Sequence, residues 1–156
     1  FMLPTKGKLL FSSQQKTINN ESIYKHISFA SPYLQLEDDL SLEQNIWFYK
    51  QFKDLQIESS ADFCKKAMFD KMELAKPIGK FSSGMKQRLK LAFALFTRSD
   101  VKLFDEPHSN LDAKGIDWFS ENFHSFCNNS TVILSSNHQQ KELSLCSEVL
   151  DIEHYK

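Results

Sequence analysis

The amino-acid sequence predicts an α/β fold, and three features of its second half support that class. Two short apolar segments, 101–105 and 131–135, have the nearly continuous apolar character of strands buried in a parallel sheet. Between them, Asp112 introduces a segment with apolar residues at helical spacing. Another helical pattern, from Ser83 onwards, precedes the first of these strands. Helix, strand, helix and strand in this order predict a parallel sheet covered by helices.

The N-terminal part of the chain contains two further candidate strands. Residues 8–11 and 26–30 have the apolar content of short strands. The segment between them, 12–22, is almost entirely polar and predicts a surface loop or a short helix.

The middle of the chain changes to helical patterns. Ser41 and Gln44 have the spacing of a capping box, which predicts a helix that begins at this point. A second helix is predicted over residues 61–72, and a third begins near Ser83. After the strand at 131–135, the pattern predicts a short helix at 139–145 and a last strand at 148–152.

Composition narrows the class of protein. Of 156 residues, 41% are hydrophobic and 25% are charged, as is typical of a folded globular domain. The 19 Lys and Arg residues balance 20 Asp and Glu residues, which argues against a protein that mainly binds nucleic acid. Cys64, Cys127 and Cys146 are far apart and odd in number, which predicts buried thiols rather than disulfides or a zinc site. No apolar run is long enough to span a bilayer.

Two adjacent carboxylates, Asp105 and Glu106, follow the predicted strand 101–105. In an open parallel sheet, ligands bind at the carboxyl ends of the strands. Successive strand residues point in opposite directions, so the two carboxylates are expected to have different tasks. One could hold Mg²⁺ through its water shell, and the other could orient or deprotonate an attacking water. The alternative interpretation is a strand that ends in a solvated acidic turn.

The segment 81–88 places small residues immediately before an amphipathic helix. Backbone N–H groups at a helix start bind phosphate, and a glycine allows close approach. An ordinary capped helix is the alternative interpretation. His138 also follows a predicted strand, where it could contact a terminal phosphate or be a plain surface residue. The segment 109–112 by itself is only a turn and an N-cap.

In their order and spacing, these segments closely resemble the nucleotide-binding domain of ATP-binding cassette (ABC) proteins, the ATPases that power membrane transporters. Phe81–Arg88 resembles the signature motif, and Val101–Pro107 resembles the Walker B strand with its catalytic glutamate. Ser109–Asp112 resembles the D-loop, and His138 the switch histidine. Residues 4–9 and 40–45 resemble the segments that lead into an early strand and open the helical subdomain.

The resemblance implies a partial P-loop NTPase (RecA-like) fold, a parallel sheet with an inserted helical subdomain. Residues 1–40 would be an N-terminal remnant of the cassette core that includes the Q-loop region. Residues 41–98 would form the helical subdomain that ends in the signature helix. Residues 99–156 would complete the core with the Walker B strand, the D-loop and the switch histidine.

The resemblance also implies roles for individual residues in a head-to-tail cassette dimer that holds two ATP molecules. Glu106 would polarise the attacking water and His138 would contact the γ-phosphate, as the catalytic pair. Asp105 would hold Mg²⁺ through water. The residues that it implies for nucleotide binding are Ser82, Ser83, Gly84, Met85, Ser109 and Asp112, the last also linking the two sites.

The chain departs from the family pattern at several points. No Gly-x-x-x-x-Gly-Lys-Ser/Thr loop occurs in the chain. We expect a truncated cassette whose P-loop lies upstream of Phe1; a degenerate cassette is the alternative. The position expected for the Q-loop glutamine holds Pro32, and Gln35 is out of register. In the signature motif, Ser83 replaces the usual glycine and Phe81 the usual leucine.

The implied function is that of the ATP-binding, ATP-hydrolysing subunit of an ABC transporter, on the cytoplasmic face of a membrane. Its partners would be a second cassette and membrane-spanning permease subunits, and no nucleic acid is expected. Without a P-loop, the chain alone is expected to be inactive. The alternatives are an ABC ATPase that does not transport and a catalytically silent interaction module. The aromatic residues Trp47, Phe48, Tyr49 and Phe52 could form a coupling surface, but core positions are the favoured interpretation.

Overall fold

The computed structural model describes residues 6–7, 10–13, 16–19, 21–137 and 140–152. The strands are β1 (Phe11–Ser13), β2 (Lys16–Ile18), β3 (Ile27–Ala30), β4 (Val101–Asp105) and β5 (Thr131–Ser135). The α-helices are α1 (Leu42–Lys50), α2 (Ser60–Lys66), α3 (Ser83–Phe96), α4 (Ala113–Cys127) and α5 (Gln140–Leu143). Three 3₁₀ turns cover Ile23–Lys25, Lys71–Ala75 and Ile78–Lys80.

The central sheet contains three parallel strands in the order β3-β4-β5. Ala30 lies opposite Phe104, which lies opposite Leu134, so the strands are in register from one edge to the other. Strands β1 and β2 form a separate antiparallel hairpin. The predicted α/β class with a parallel sheet is therefore confirmed.

The two faces of this sheet differ in how far they are covered. Ala30, Lys102 and Phe104 point to the face that α3 and α4 cover, and all three are buried. On the other face, Phe29 remains 44% exposed and Ile133 59% exposed. Strand β5 was predicted to be buried, but its residues alternate between exposed and half-buried. The prediction was wrong because the described residues supply no layer over this face.

Helix α3 lies at the centre of the hydrophobic core. Every residue from 89 to 97 is buried, because α3 packs between β3, β4 and α4. Its aromatic side chains continue into the neighbouring elements, with Phe63 edge-on to Phe96 and Phe104 edge-on to Phe119. Burial of each such ring contributes about 1.5–3 kcal/mol. The core therefore fixes the start of α3 relative to the end of β4.

A buried lysine closes the end of α3. Lys102 is fully buried on β4, and its ammonium donates to the carbonyls of Ala94, Leu95 and Thr97. The last carbonyls of an α-helix have no partner within the helix, so Lys102 supplies the donor that they need. Burial lowers the pKa of Lys102 to about 8.

The first predicted helix is confirmed and the second was too long. The N–H of Gln44 donates to the Ser41 hydroxyl at 3.2 Å, and the N–H of Ser41 donates to the Gln44 side chain at 2.9 Å. Helix α2 stops at Lys66 instead of Met72, because Met68 adopts a left-handed conformation with φ at 55°.

Other differences from the predictions are local. Residues 12–22 contain most of the β1–β2 hairpin rather than a plain loop or helix, and the 3₁₀ turn Ile23–Lys25 follows them. Residues 148–151 form no strand.

The aromatic residues of α1 and the turn after it are mostly exposed. Trp47, Phe48 and Phe52 are 64%, 43% and 53% exposed, so the core interpretation was wrong for these three. Tyr49 is half-buried and stacks on Phe93. Cys64 and Cys127 are buried and Cys146 is half-buried. Within the described part of the chain, no helix is long and apolar enough to cross a membrane.

Candidate functional site

The acidic pair lies at the carboxyl edge of the sheet, where the sequence predicts it. Strand β4 ends at Asp105, and Glu106 then adopts a left-handed conformation with φ at 42°. The N–H of Glu106 donates to the carbonyl of Ser135 at 2.9 Å, which fixes this turn against the end of β5. Both carboxylates are half-buried.

The Asp105 carboxylate is bound by the neighbouring strand. The hydroxyl of Ser31 donates to Oδ2 of Asp105 at 3.0 Å, and Ser31 is only 3% exposed. Ser31 directly follows β3, so its position is set by the parallel pairing of β3 with β4. The sequence motifs do not single out this residue. Its signal would have been a small polar residue at the end of an adjacent parallel strand.

The Glu106 carboxylate is held from two sides. The Ser109 hydroxyl donates to Oε2 at 3.0 Å, and the side-chain amide of Asn137 donates to Oε1. Asn137 lies just after β5, so groups from two loops restrict the rotation of this carboxylate. His138, the predicted switch histidine, lies outside the described residues.

The chemistry of these groups suits Mg²⁺. Carboxylate and hydroxyl oxygens are the donors that Mg²⁺ prefers, and the ion usually keeps several of its waters. Among the described residues, no group of three or more His, Cys, Asp or Glu side chains could hold a metal ion. Asp105 offers one carboxylate, and Mg²⁺, which keeps several of its waters, can be held by a single such group.

The predicted phosphate-binding segment begins α3. Ser82 is the N-cap, and its hydroxyl accepts the N–H of Met85 at 3.2 Å. The first intrahelical bond runs from the N–H of Lys86 to the carbonyl of Ser82 at 2.9 Å. Ser82 and Ser83 are exposed, and Gly84 and Met85 are half-buried. The positive end of the helix dipole thus opens to solvent at these serines.

The start of α3 contacts the loop that follows the acidic pair. A Cβ atom on Gly84 would lie 2.8 Å from the carbonyl oxygen of Asn110, so only glycine fits without a shift of the backbone. The side-chain amide of Gln87 donates to the carbonyl of Pro107 at 3.3 Å. The segment 81–88 and the segment 106–112 therefore form one packed unit.

Asp112 and Ser109 have structural contacts of their own. Asp112 is the N-cap of α4, and its carboxylate accepts the N–H of Gly115 at 2.8 Å. It is exposed, whereas Ser109 is half-buried against Glu106.

A buried carboxylate outside all of the sequence motifs supports this loop. Glu142, on α5, accepts the backbone N–H of His108 at 2.9 Å and a hydrogen bond from the Ser136 hydroxyl. The side chains of His108 and Glu142 are each 1% exposed. The only sequence signal for Glu142 is its position four residues after His138. The helical pattern by itself predicts that a glutamate at this position is exposed to solvent.

A polar cavity of about 800 Å³ lies elsewhere, at the amino ends of the three sheet strands. His26, Arg98, Asp100 and Ser130 are among its lining residues, and His26 Nδ1 lies 2.6 Å from Asp100 Oδ2. The candidate site lies at the opposite, carboxyl ends of the same strands, so the cavity is separate from it. The carboxyl ends are also where parallel sheets bind their ligands.

Comparison with known proteins supports the resemblance. Residues 1–109 match the family model described as ABC transporter. The chain is 29% identical to the ABC transporter ATP-binding protein YybJ of Bacillus subtilis, over 98% of this chain and 70% of that protein. It is 30% identical to the ABC transporter ATP-binding protein YcbN of the same organism, over 72% of this chain and 37% of that protein.

A solved structure shows the same fold. The dimeric ATP-binding cassette MJ0796, in a post-hydrolysis state with ADP and phosphate, matches with a TM-score of 0.64 at 17% identity. The match covers 91% of this chain and 66% of that chain, so this chain spans about two thirds of a cassette of that kind. The parallel sheet, the arrangement of the site segments and the family match agree, and the chain belongs to the ABC transporter family as one of its ATP-binding cassette proteins.

Proposed function

We propose that this chain is part of the subunit that binds and hydrolyses ATP in an ABC transporter. The observation that carries the proposal is the geometry of Glu106. Its carboxylate lies at the carboxyl edge of a parallel sheet and is held by Ser109 and Asn137, next to Asp105 and within the unit that contains the start of α3.

Glu106 is proposed as the group that orients and deprotonates the attacking water. Two donors restrict its carboxylate, so an incoming water would find an acceptor that is already positioned. Asp105 is proposed to hold Mg²⁺ through water, with the Ser31 hydroxyl bound to its other side. Mg²⁺ neutralises charge on the β- and γ-phosphates when it is bound. His138 is proposed to contact the γ-phosphate.

A second cassette is the proposed partner across the site. Ser82 and Ser83 are exposed at the start of α3, so they can face the nucleotide of an opposing subunit together with Gly84 and Met85. Ser109 and Asp112 lie on the same packed unit and are proposed to contact the nucleotide or link the two sites. The MJ0796 cassette, which is dimeric with ADP and phosphate bound, supports this arrangement.

Membrane-spanning permease subunits are the proposed partner of α1. Trp47, Phe48 and Phe52 are exposed aromatic residues on or just after this helix, and Phe48 and Phe52 pack edge to face at 5.2 Å. We call these three residues the aromatic patch. Exposed clustered aromatic side chains are enriched at protein interfaces, which supports a coupling surface here. The cytoplasmic face of the membrane is the location that this assembly requires.

The three-part division of the chain at residues 40 and 98 belongs to the same proposal. Helices α1, α2 and α3 all lie between β3 and β4, as a helical insertion would. For the 156-residue chain alone we propose little or no turnover, because no P-loop is present to bind the phosphates.

The test uses the longest polypeptide encoded in frame with this sequence. Purified protein should release phosphate from ATP in the presence of Mg²⁺ and not in the presence of EDTA. A protein with a P-loop that binds MgATP without any turnover would favour the silent interaction module. An active protein that copurifies with no membrane-spanning subunit from its own cells would favour an ATPase that does not transport.

A further inference from the structure

The segment between β3 and α1, residues 31–41, is held at several points by side chains from other parts of the chain. Three of its backbone carbonyls accept hydrogen bonds from the buried side-chain amide of Asn45. The Asp38 carboxylate binds the ammonium of Lys86 at 2.8 Å through both oxygens. We call residues 31–41 the linker. These contacts make it a fixed connection between the sheet and the helices.

The first residue of the linker binds the acidic site. The Ser31 hydroxyl accepts the N–H of Tyr33 at 3.3 Å and donates to Asp105 at 3.0 Å. A hydroxyl has a single proton, and an acceptor role toward Tyr33 leaves that proton for the carboxylate. Ser31 is 3% exposed, so water cannot easily replace it. The contact therefore selects one orientation of the Asp105 carboxylate.

The second residue of the linker binds α3. The ammonium of Lys90 donates to the carbonyl of Pro32 at 2.5 Å, and Lys90 is only 8% exposed. Burial lowers the pKa of Lys90, with a further contribution from the nearby Lys86. Burial of an ammonium costs free energy, and an apolar residue would fill the same position at less cost. The charge-assisted hydrogen bond to the Pro32 carbonyl offsets part of this cost, which an apolar residue could not do.

We propose that Ser31 and Lys90 are positioning residues for the Asp105 carboxylate. Ser31 orients the carboxylate directly, and Lys90 fixes Ser31 because it holds the adjacent carbonyl to α3. Pro32 has no polar side chain, so its backbone carbonyl makes the contact. Since Lys90 lies about two turns from the serines that begin α3, the pair connects the metal-binding carboxylate to the phosphate-binding helix start. This inference rests on the proposed function of the site.

The experiment measures nucleotide affinity rather than turnover, in the longest polypeptide encoded in frame with this sequence. The affinity for a fluorescent ATP analogue is measured with Mg²⁺ and with EDTA, and the ratio is the magnesium-dependent gain. Ser31→Ala should reduce this gain about fivefold to tenfold, since a hydrogen bond to a charged group is lost. Ser31→Thr should retain it. Lys90→Met should reduce the gain in the same direction, and Lys90→Arg should retain most of it.

The matched control is Ser99→Ala, which removes a hydroxyl that donates to Ser28 at 3.0 Å near the amino ends of the strands. Its magnesium-dependent gain should equal that of the wild type. If Ser31→Ala lowers the affinity equally with Mg²⁺ and with EDTA, Ser31 is only structural and the inference is overturned. An unchanged gain in Ser31→Ala overturns it as well. A wild-type protein with no magnesium-dependent gain would overturn the proposed function itself, and the inference with it.

Discussion

The backbone N–H of His108 donates to the Glu142 carboxylate at 2.9 Å, and this buried contact joins the loop after β4 to helix α5. Ser136, directly after β5, donates to the other oxygen of the same carboxylate. Because His108 lies two residues after Glu106, Glu142 sets the separation between the loop that contains Glu106 and the end of β5. The Glu106–Asn137 contact depends on that separation.

Glu142→Ala should destabilise the chain by about 2–3 kcal/mol, because the N–H of His108 and the hydroxyl of Ser136 would lose a buried acceptor. Urea unfolding of the 156-residue chain measures this change. Glu142→Gln is the control, since its carbonyl oxygen can still accept the N–H of His108, and it should cost about 1 kcal/mol or less. An unchanged unfolding midpoint in Glu142→Ala would contradict the role of this carboxylate.

Gly84→Ala should destabilise the chain by about 1–2 kcal/mol although alanine is the better helix former. The new Cβ would lie 2.8 Å from the Asn110 carbonyl oxygen, and a backbone atom cannot move aside as a flexible side chain can. The helix propensity gain of about 1 kcal/mol offsets only part of this clash. Ser83→Ala, at an exposed neighbouring position, should change stability by about 0.5 kcal/mol or less. Stabilisation by Gly84→Ala would show that the loop 106–112 can shift away from α3 without cost.

The sequence predicts the local elements well where a strong local signal exists. Strand β4 has the predicted bounds, because a short apolar run is followed directly by two carboxylates and a proline. Helix α1 begins where the Ser41 capping box places it. The end of α2 could not be predicted in this way, since the left-handed residue is Met68 and no glycine marks the position. Likewise, the exposure of β5 depends on whether another layer packs on that face of the sheet. The local sequence pattern of the strand does not predict this.

In the candidate site, too, local signals predict some residues, whereas others are brought in only by the tertiary structure. Motif order places Asp105, Glu106 and Ser82, because each is adjacent to the strand or helix end that positions it. Ser31 is 74 residues from Asp105 and Asn137 is 31 residues from Glu106, so these contacts exist only through strand pairing. Parallel register brings the ends of β3, β4 and β5 to one edge, and the sequence alone does not give that register.

Lys102→Met should destabilise the chain by about 2 kcal/mol at pH 7, because the carbonyls of Ala94, Leu95 and Thr97 would lose their donor. Methionine keeps the apolar stem length, so packing changes little. Urea unfolding provides the measurement. Equal stability of the two proteins would mean that the cost of burying the charge cancels its hydrogen bonds.

The stability difference between the wild type and Lys102→Met should depend on pH. The pKa of Lys102 is lowered to about 8 in the folded chain, whereas an unfolded lysine titrates near its ordinary value of about 10.4. Between these pH values the unfolded chain binds more protons, so the free energy of unfolding contributed by Lys102 rises with pH. The stability difference between wild type and Lys102→Met should therefore be larger at pH 9.5 than at pH 7.5. A constant difference would show that the pKa of Lys102 is not lowered.

Replacement of Trp47 and Phe52 by alanine should leave stability nearly unchanged but impair association with the proposed permease subunit. These side chains are 64% and 53% exposed, so their loss should cost about 1 kcal/mol or less. Phe63→Ala, at a fully buried ring, should cost about 3–5 kcal/mol and serves as the contrast. Copurification with the membrane subunit from detergent measures association. Normal copurification and transport in the double variant would exclude Trp47 and Phe52 from the coupling surface.

Glu106→Gln should lower ATP turnover at least about 100-fold in the longest polypeptide encoded in frame, with nucleotide affinity changed only about twofold or less. The amide keeps the size of the side chain and can still accept the hydrogen bond from Ser109, but it cannot take a proton from water. Phosphate release and binding of a fluorescent ATP analogue are measured on the same preparation. Glu43→Gln, an identical change at an exposed position in the first turn of α1, should retain wild-type turnover. Wild-type turnover in Glu106→Gln would remove this residue from the role of general base, because no substitution that blocks proton transfer could leave that step unaffected.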